Sequence, residues 1–114
     1  MENCIFCKII NREIPSAIVF EDEYCLGFRD VDPQAPFHVL FVPKKHIQDI
    51  TQVTKEDRVY IDHILDAINS VASENGLDKD GFRIVINTGK DGGQTVPHLH
   101  FHVLGKRALD WPPG

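Results

Sequence analysis

Residues Pro97 to Gly105 read Pro-His-Leu-His-Phe-His-Val-Leu-Gly, and this stretch limits what the 114-residue chain can fold into more than any other. His98, His100 and His102 alternate with Leu99, Phe101 and Val103. A period of two belongs to a β-strand, so the imidazoles are expected on one face and the apolar side chains on the other. Plain core filling is a poor use of such a strand, because each ring carries polar nitrogens that need partners. Two chemistries fit. Same-face histidines roughly 6.5–7 Å apart along the strand can bring two ligands to one metal ion. Alternatively one histidine attacks as a nucleophile while its neighbours orient it. The preceding Gly92-Gly93-Gln94-Thr95 shifts the balance towards the second, since backbone amides in a glycine loop can approach an anion closely. A phosphate site needs such a loop, whereas a metal site does not.

The length implies one domain over residues 1–114, with a small core that could gain from an oligomeric partner surface. No apolar run reaches the roughly 18–20 residues of a membrane span, and no charged segment followed by an apolar run opens the chain, so a soluble, cytoplasmic protein without membrane partners is expected. A formal net charge of -5 argues against a general nucleic-acid binder. It does not exclude a small nucleotide held by local amides and histidines. Three cysteines, an odd number, fit a reducing compartment better than a disulfide scaffold.

Near the N-terminus, Cys4 and Cys7 sit three apart among Ile5, Phe6, Ile9 and Ile10, which predicts one or two helical turns with both thiols on one face. That face could carry two metal ligands or two buried thiols; a redox motif would need a preceding strand. Ala17–Glu21 and Tyr24–Arg29 read as a hairpin around Asp22-Glu23, with Cys25 in the core. Asp30 to Pro36 is a polar, proline-marked loop, and Phe37–Pro43 is the next strand, carrying His38. His46, in the basic turn after it, could join Cys4, Cys7 and a later histidine only through folding. Thr54-Lys55-Glu56-Asp57 resembles a helix cap, and Val59, Ile61, Ile64, Leu65, Ile68, Val71 and Ala72 recur at helical spacing up to Asn75-Gly76. His63 is read as a surface or packing residue of that helix. Gly81–Asn87 is the penultimate strand. These elements make an α+β fold: an antiparallel sheet of about five strands, one long helix and a short N-terminal helix.

From Gly92 to Leu104 the sequence resembles the histidine-triad (HIT) superfamily, whose motif is His-φ-His-φ-His-φ-φ with φ apolar. The closing Trp111-Pro112-Pro113-Gly114 resembles the Hint branch, the purine nucleoside phosphoramidases. The resemblance implies a HIT-like fold and hydrolysis of the phosphorus–nitrogen bond of purine nucleoside phosphoramidates. Dinucleoside polyphosphate hydrolysis or nucleotidyl transfer, and a non-enzymatic nucleotide-binding module, are the alternatives. By the same resemblance His100 is the nucleophile, His102 contacts phosphate and His38 supports the histidine network. Asp30 binds ribose hydroxyls; Asn87, Gly93 and Thr95 lie near the phosphate; Phe6, Ile9, Phe28 and Val31 surround the base. Some members carry a structural zinc, and the matching ligands here are Cys4, Cys7, His46 and His98. A homodimer and a purine nucleotide ligand such as AMP, GMP or adenosine are implied too, with no catalytic metal required. Thr95 stands where serine is common, and Pro97 removes a strand donor directly before His98.

Overall fold

Strand β3 (Phe37–Pro43, FHVLFVP) has every residue buried, as expected of a central strand covered on both faces. In the structure, a computed structural model that describes residues 3–114, β3 lies in the middle of a five-stranded sheet of order β1-β2-β3-β5-β4. The other strands are β1 (Ile18–Glu21), β2 (Cys25–Arg29), β4 (Phe82–Val85) and β5 (Phe101–Gly105), and all neighbours pair antiparallel. The expected α+β architecture is the one observed.

Alternation along the strands sorts the core into two layers. Phe37, Val39, Phe41, Cys25, Phe101 and Val103 pack towards helix α2 (Arg58–Glu74), against its buried Ile64, Ala67, Ile68, Val71 and Ala72. The opposite residues Leu26, Phe28, Leu40 and Val42 pack under the short helix α1 (Ile5–Ile10), which contributes Phe6 and Ile9. Burial pushes the Cys25 thiol up to about 12, so it behaves as a small hydrophobe. Two apolar positions in the helical period, Val59 and Leu65, point outward instead.

Helix α2 opens on the reciprocal bonds of a capping box: the Asp57 amide donates to Thr54 Oγ1 (3.3 Å) and the Thr54 amide to Asp57 Oδ2 (3.2 Å). It closes at Gly76, whose φ of 74° is the left-handed conformation glycine adopts without strain. A one-turn helix α3 (Leu77–Asp80) and a 3-10 turn (Ile50–Gln52) are additional to the sequence expectation. His63 of α2 bonds Asp22 at 2.8 Å and packs on Tyr24, a helix-to-hairpin contact. No helix among the described residues is long and apolar enough to cross a membrane.

The expected strand Pro97–Gly105 begins only at Phe101. Its partner β3 ends in Pro43, which has no N–H to donate, and the pairing stops at Phe41 opposite Phe101. Residues 97–100 satisfy their backbone otherwise, the His98 amide bonding Val96 O at 2.8 Å and the Leu99 amide Ile47 O at 2.7 Å. Pro97 therefore lies before the strand and costs it no ladder bond. The face separation survives nonetheless, with Leu99 in the α2-side core and the imidazoles on the α1 side.

Candidate active site and metal cluster

Helix α1 begins at Cys4, whose Sγ accepts the Cys7 amide at 3.4 Å and so brings the two thiols together at the helix start. Folding delivers His46 from the turn after β3 and His98 from the segment before β5. One donor atom from each of Cys4, Cys7, His46 and His98 lies within 4.8 Å of all the others. Cys4 Sγ is 3.3 Å from His98 Nδ1, and Cys7 Sγ is 3.3 Å from His46 Nδ1 and 3.6 Å from His98 Nδ1. Tetrahedral bonds of about 2.3 Å to sulfur and about 2.0 Å to nitrogen separate ligands by roughly 3.3–3.8 Å, so this donor set could hold a metal ion and is compatible with zinc. His98 supports that fit. Its Nε2 lies 3.0 Å from Pro43 O and donates to it, which leaves the Nδ1 lone pair facing the thiols. Burial holds His98 down at about 4 and, with Cys4 alongside, pushes the Cys7 thiol up to about 11. A bound cation would reverse the thiol's preference, because a coordinating thiol is deprotonated outright.

The second cluster is built around His100, His102 and His38. His100 Nδ1 lies 2.7 Å from His98 O and donates to it, so the lone pair sits on Nε2. A relay fixes His102: the Gln34 amide donates to His38 Nδ1 at 3.1 Å, which leaves His38 Nε2 to donate to His102 Nδ1 at 2.9 Å. His102 Nε2 then carries its proton. Burial lowers all three histidines, His102 to about 4 with help from His100 and His38, while Asp30 partly opposes the shift in each. At neutral pH the cluster is uncharged, with one nucleophilic nitrogen and one donor. Asp30 Oδ2 is 3.5 Å from His38 Nε2, and Asp30 Oδ1 accepts the Asp32 amide at 2.8 Å. Asp30, His38 and His102 also hold donor atoms within 4.8 Å of one another, but the short His38–His102 bond commits those two nitrogens to each other.

A cavity of about 340 Å³ opens onto His100 and His102. Its wall includes Phe6, Ile9, Phe28, Val31, Asp30 and Thr95, all singled out from the sequence. Phe6 meets His100 edge-on at 5.0 Å between ring centroids, and Phe28 at 5.5 Å. Val31 stands at the rim, 97% exposed. Asn87 and Gly93 are not among the lining residues. The glycine loop also behaves differently from expectation at two amides, because Gly93 N–H bonds Lys90 O and Gln94 N–H bonds Gly89 O within the loop. The side chain of Gln94 braces the same loop, accepting the Gly89 amide and donating to Gln48 O and Val96 O. Ile5, Ile14, Pro15, Ser16, Leu40 and Val96 complete much of the wall and were not singled out. Gln34 was missed as well, since it acts through its backbone amide and its side-chain type carries no signal.

An antiparallel α+β sheet presenting an oriented histidine relay beside a Cys2His2 cluster defines a class of small histidine-cluster proteins. The model of the HIT domain matches residues 11–109. The chain is 53% identical over 113 residues to an uncharacterised HIT-like protein of Synechococcus elongatus, covering 99% of this chain and 98% of that one. A crystal structure of a HIT family hydrolase from Legionella pneumophila superposes with a TM-score of 0.95 at 48% identity, over 98% of this chain and 100% of that one. A histidine triad protein from Clostridium difficile gives 0.92 at 46% identity, over 97% of each chain. This chain belongs to the HIT family.

Proposed function

We propose that the protein, acting as a single HIT domain, is a nucleotide hydrolase that cleaves the phosphorus–nitrogen bond of purine nucleoside phosphoramidates through a nucleotidyl-histidine intermediate. The observation that carries this reading is the bond from His100 Nδ1 to His98 O, which leaves Nε2 as a neutral nucleophile in a wall of the cavity. The related Legionella pneumophila protein is called a hydrolase, which supports the reaction type. The purine lies among Phe6, Ile9 and Phe28, and the ribose hydroxyls donate to Asp30. His100 Nε2 attacks the α-phosphorus, the bond to nitrogen breaks, and the amine leaves with a proton from solvent. Water then cleaves the phosphorus–His100 bond and releases the nucleoside monophosphate. His102 Nε2–H and the Thr95 hydroxyl stabilise charge on the phosphoryl oxygens.

The Cys4, Cys7, His46 and His98 set is read as a structural zinc site, because four protein ligands leave no open position for water. Two copies pair through β4, one of the two edge strands of the sheet, where Ile84 and, just past the strand, Ile86 are exposed. The three free thiols, Cys4, Cys7 and Cys25, suit a reducing, cytoplasmic setting. Incubation with adenosine 5'-phosphoramidate tests the activity. Wild type is expected to release ammonia and AMP in equal amounts, and His100→Ala to release neither; equal rates for the two proteins would overturn the reading.

A further inference from the structure

Three polar side chains of the cavity wall each have a hydrogen-bond partner within the protein. Asp30 accepts the Asp32 amide, His100 donates to a carbonyl, and His102 is bonded to His38. Ser16 differs. Its Oγ is buried and has no hydrogen-bond partner among the described residues. It follows Ile14-Pro15 in the extended segment between α1 and β1, and these three residues line the cavity together with Ile9 and Phe6 of α1. Ser16 therefore belongs to the apolar part of the wall, and its buried hydroxyl, left unpaired there, is disfavoured.

We propose that Ser16 recognises the base, its hydroxyl exchanging a hydrogen bond with the polar edge of a purine whose faces lie against the apolar wall. This rests on the nucleotide reading given above and extends it to the source of base specificity. A purine suits the place chemically. Its faces are apolar enough for Phe6, Ile9 and Phe28, while its rim carries ring nitrogens and an exocyclic group that can satisfy a hydroxyl in either role. Ser16 is thus a binding residue set apart from the reacting phosphorus, and its loss acts on affinity more than on turnover.

Calorimetric titration of wild type and Ser16→Ala with AMP and with ribose 5-phosphate, which lacks the base, tests this. Ser16→Ala is expected to weaken AMP binding roughly 5- to 10-fold while ribose 5-phosphate binding stays within about twofold. The Tm of the free variant should equal or exceed that of wild type, since an unpaired buried hydroxyl has been removed. Unchanged AMP affinity in the variant would refute the role of Ser16. So would a parallel loss for both ligands accompanied by a lower Tm, which marks a structural residue. Failure of the nucleotide reading itself looks different: wild type would then bind AMP no more tightly than ribose 5-phosphate.

Discussion

His98 serves three neighbours through three atoms. Nδ1 faces the thiols, Nε2 holds Pro43 O, and its carbonyl fixes the tautomer of His100. His102 is prepared at the end of a relay that starts at the Gln34 amide, so its Nε2–H is aimed without a charged residue in the chain. Replacing one preorganised donor to a developing oxyanion costs about 10²–10³ in kcat, and His102→Ala is expected to lose that much on adenosine 5'-phosphoramidate with little change in KM. Steady-state kinetics check it. The same residue makes stability depend on pH. Its folded value, about 4, lies below its ordinary 6.5, because burial and the neighbouring His100 and His38 outweigh Asp30. Between those values the unfolded chain binds the proton and the folded one does not. The contribution is therefore complete above about pH 6.5 and disappears as pH falls towards about 4, a loss on the order of 2–3 kcal/mol. Urea midpoints from pH 7 to 4.5 should fall less steeply in His102→Ala than in wild type. Identical slopes would contradict the assignment.

At the scale of elements, the loop between β4 and β5 carries a constraint that its composition announced. A Cβ at Gly92 would collide with Thr88 O and lie 2.8 Å from Thr88 N, so no side chain fits unless the loop shifts. Gly92→Ala is expected to displace Thr95 and lower kcat/KM about tenfold, with a Tm change small beside that of a core substitution, because the loop is exposed. Activity and melting measurements on one preparation separate the two. What could be read from the sequence here followed locality. The capping box at Thr54 and Asp57, the closing Gly76 and the fully apolar β3 are signals contained within a few residues. The late start of β5 at Phe101 was hidden, because it depends on Pro43, more than fifty residues earlier, having no N–H to offer. Gln94 was hidden for the same reason, since its bond to Gln48 exists only once distant segments meet. Gln34 was hidden although it lies only four residues from His38, because the bond is made by its backbone amide and leaves no mark in the side-chain pattern.

At the scale of the whole molecule, the Cys2His2 cluster ties together parts that the sheet alone does not. Cys4 and Cys7 belong to the start of α1, His46 to the turn after β3 and His98 to the approach to β5. Helix α1 is only six residues long, too short to persist alone, and it supplies Phe6 and Ile9 to the cavity wall. An ion bound by these four donors stabilises the folded state by mass action, by about 2.7 kcal/mol at a free concentration 100 times its Kd. For a chain of this size that corresponds to a Tm shift on the order of 10 °C. Purified protein should contain about one zinc per chain. A strong chelator should lower its Tm by that amount and zinc should restore it, whereas Cys4→Ser with Cys7→Ser should melt low from the start and ignore both. Amide exchange should speed up first in α1, which loses its tie to the sheet. Because the His98 carbonyl also holds His100, the same treatment should broaden the NMR signals of the His100 ring. A chelated protein with unchanged melting and unchanged α1 exchange would show that packing of Phe6 against Phe28 secures the helix without an ion.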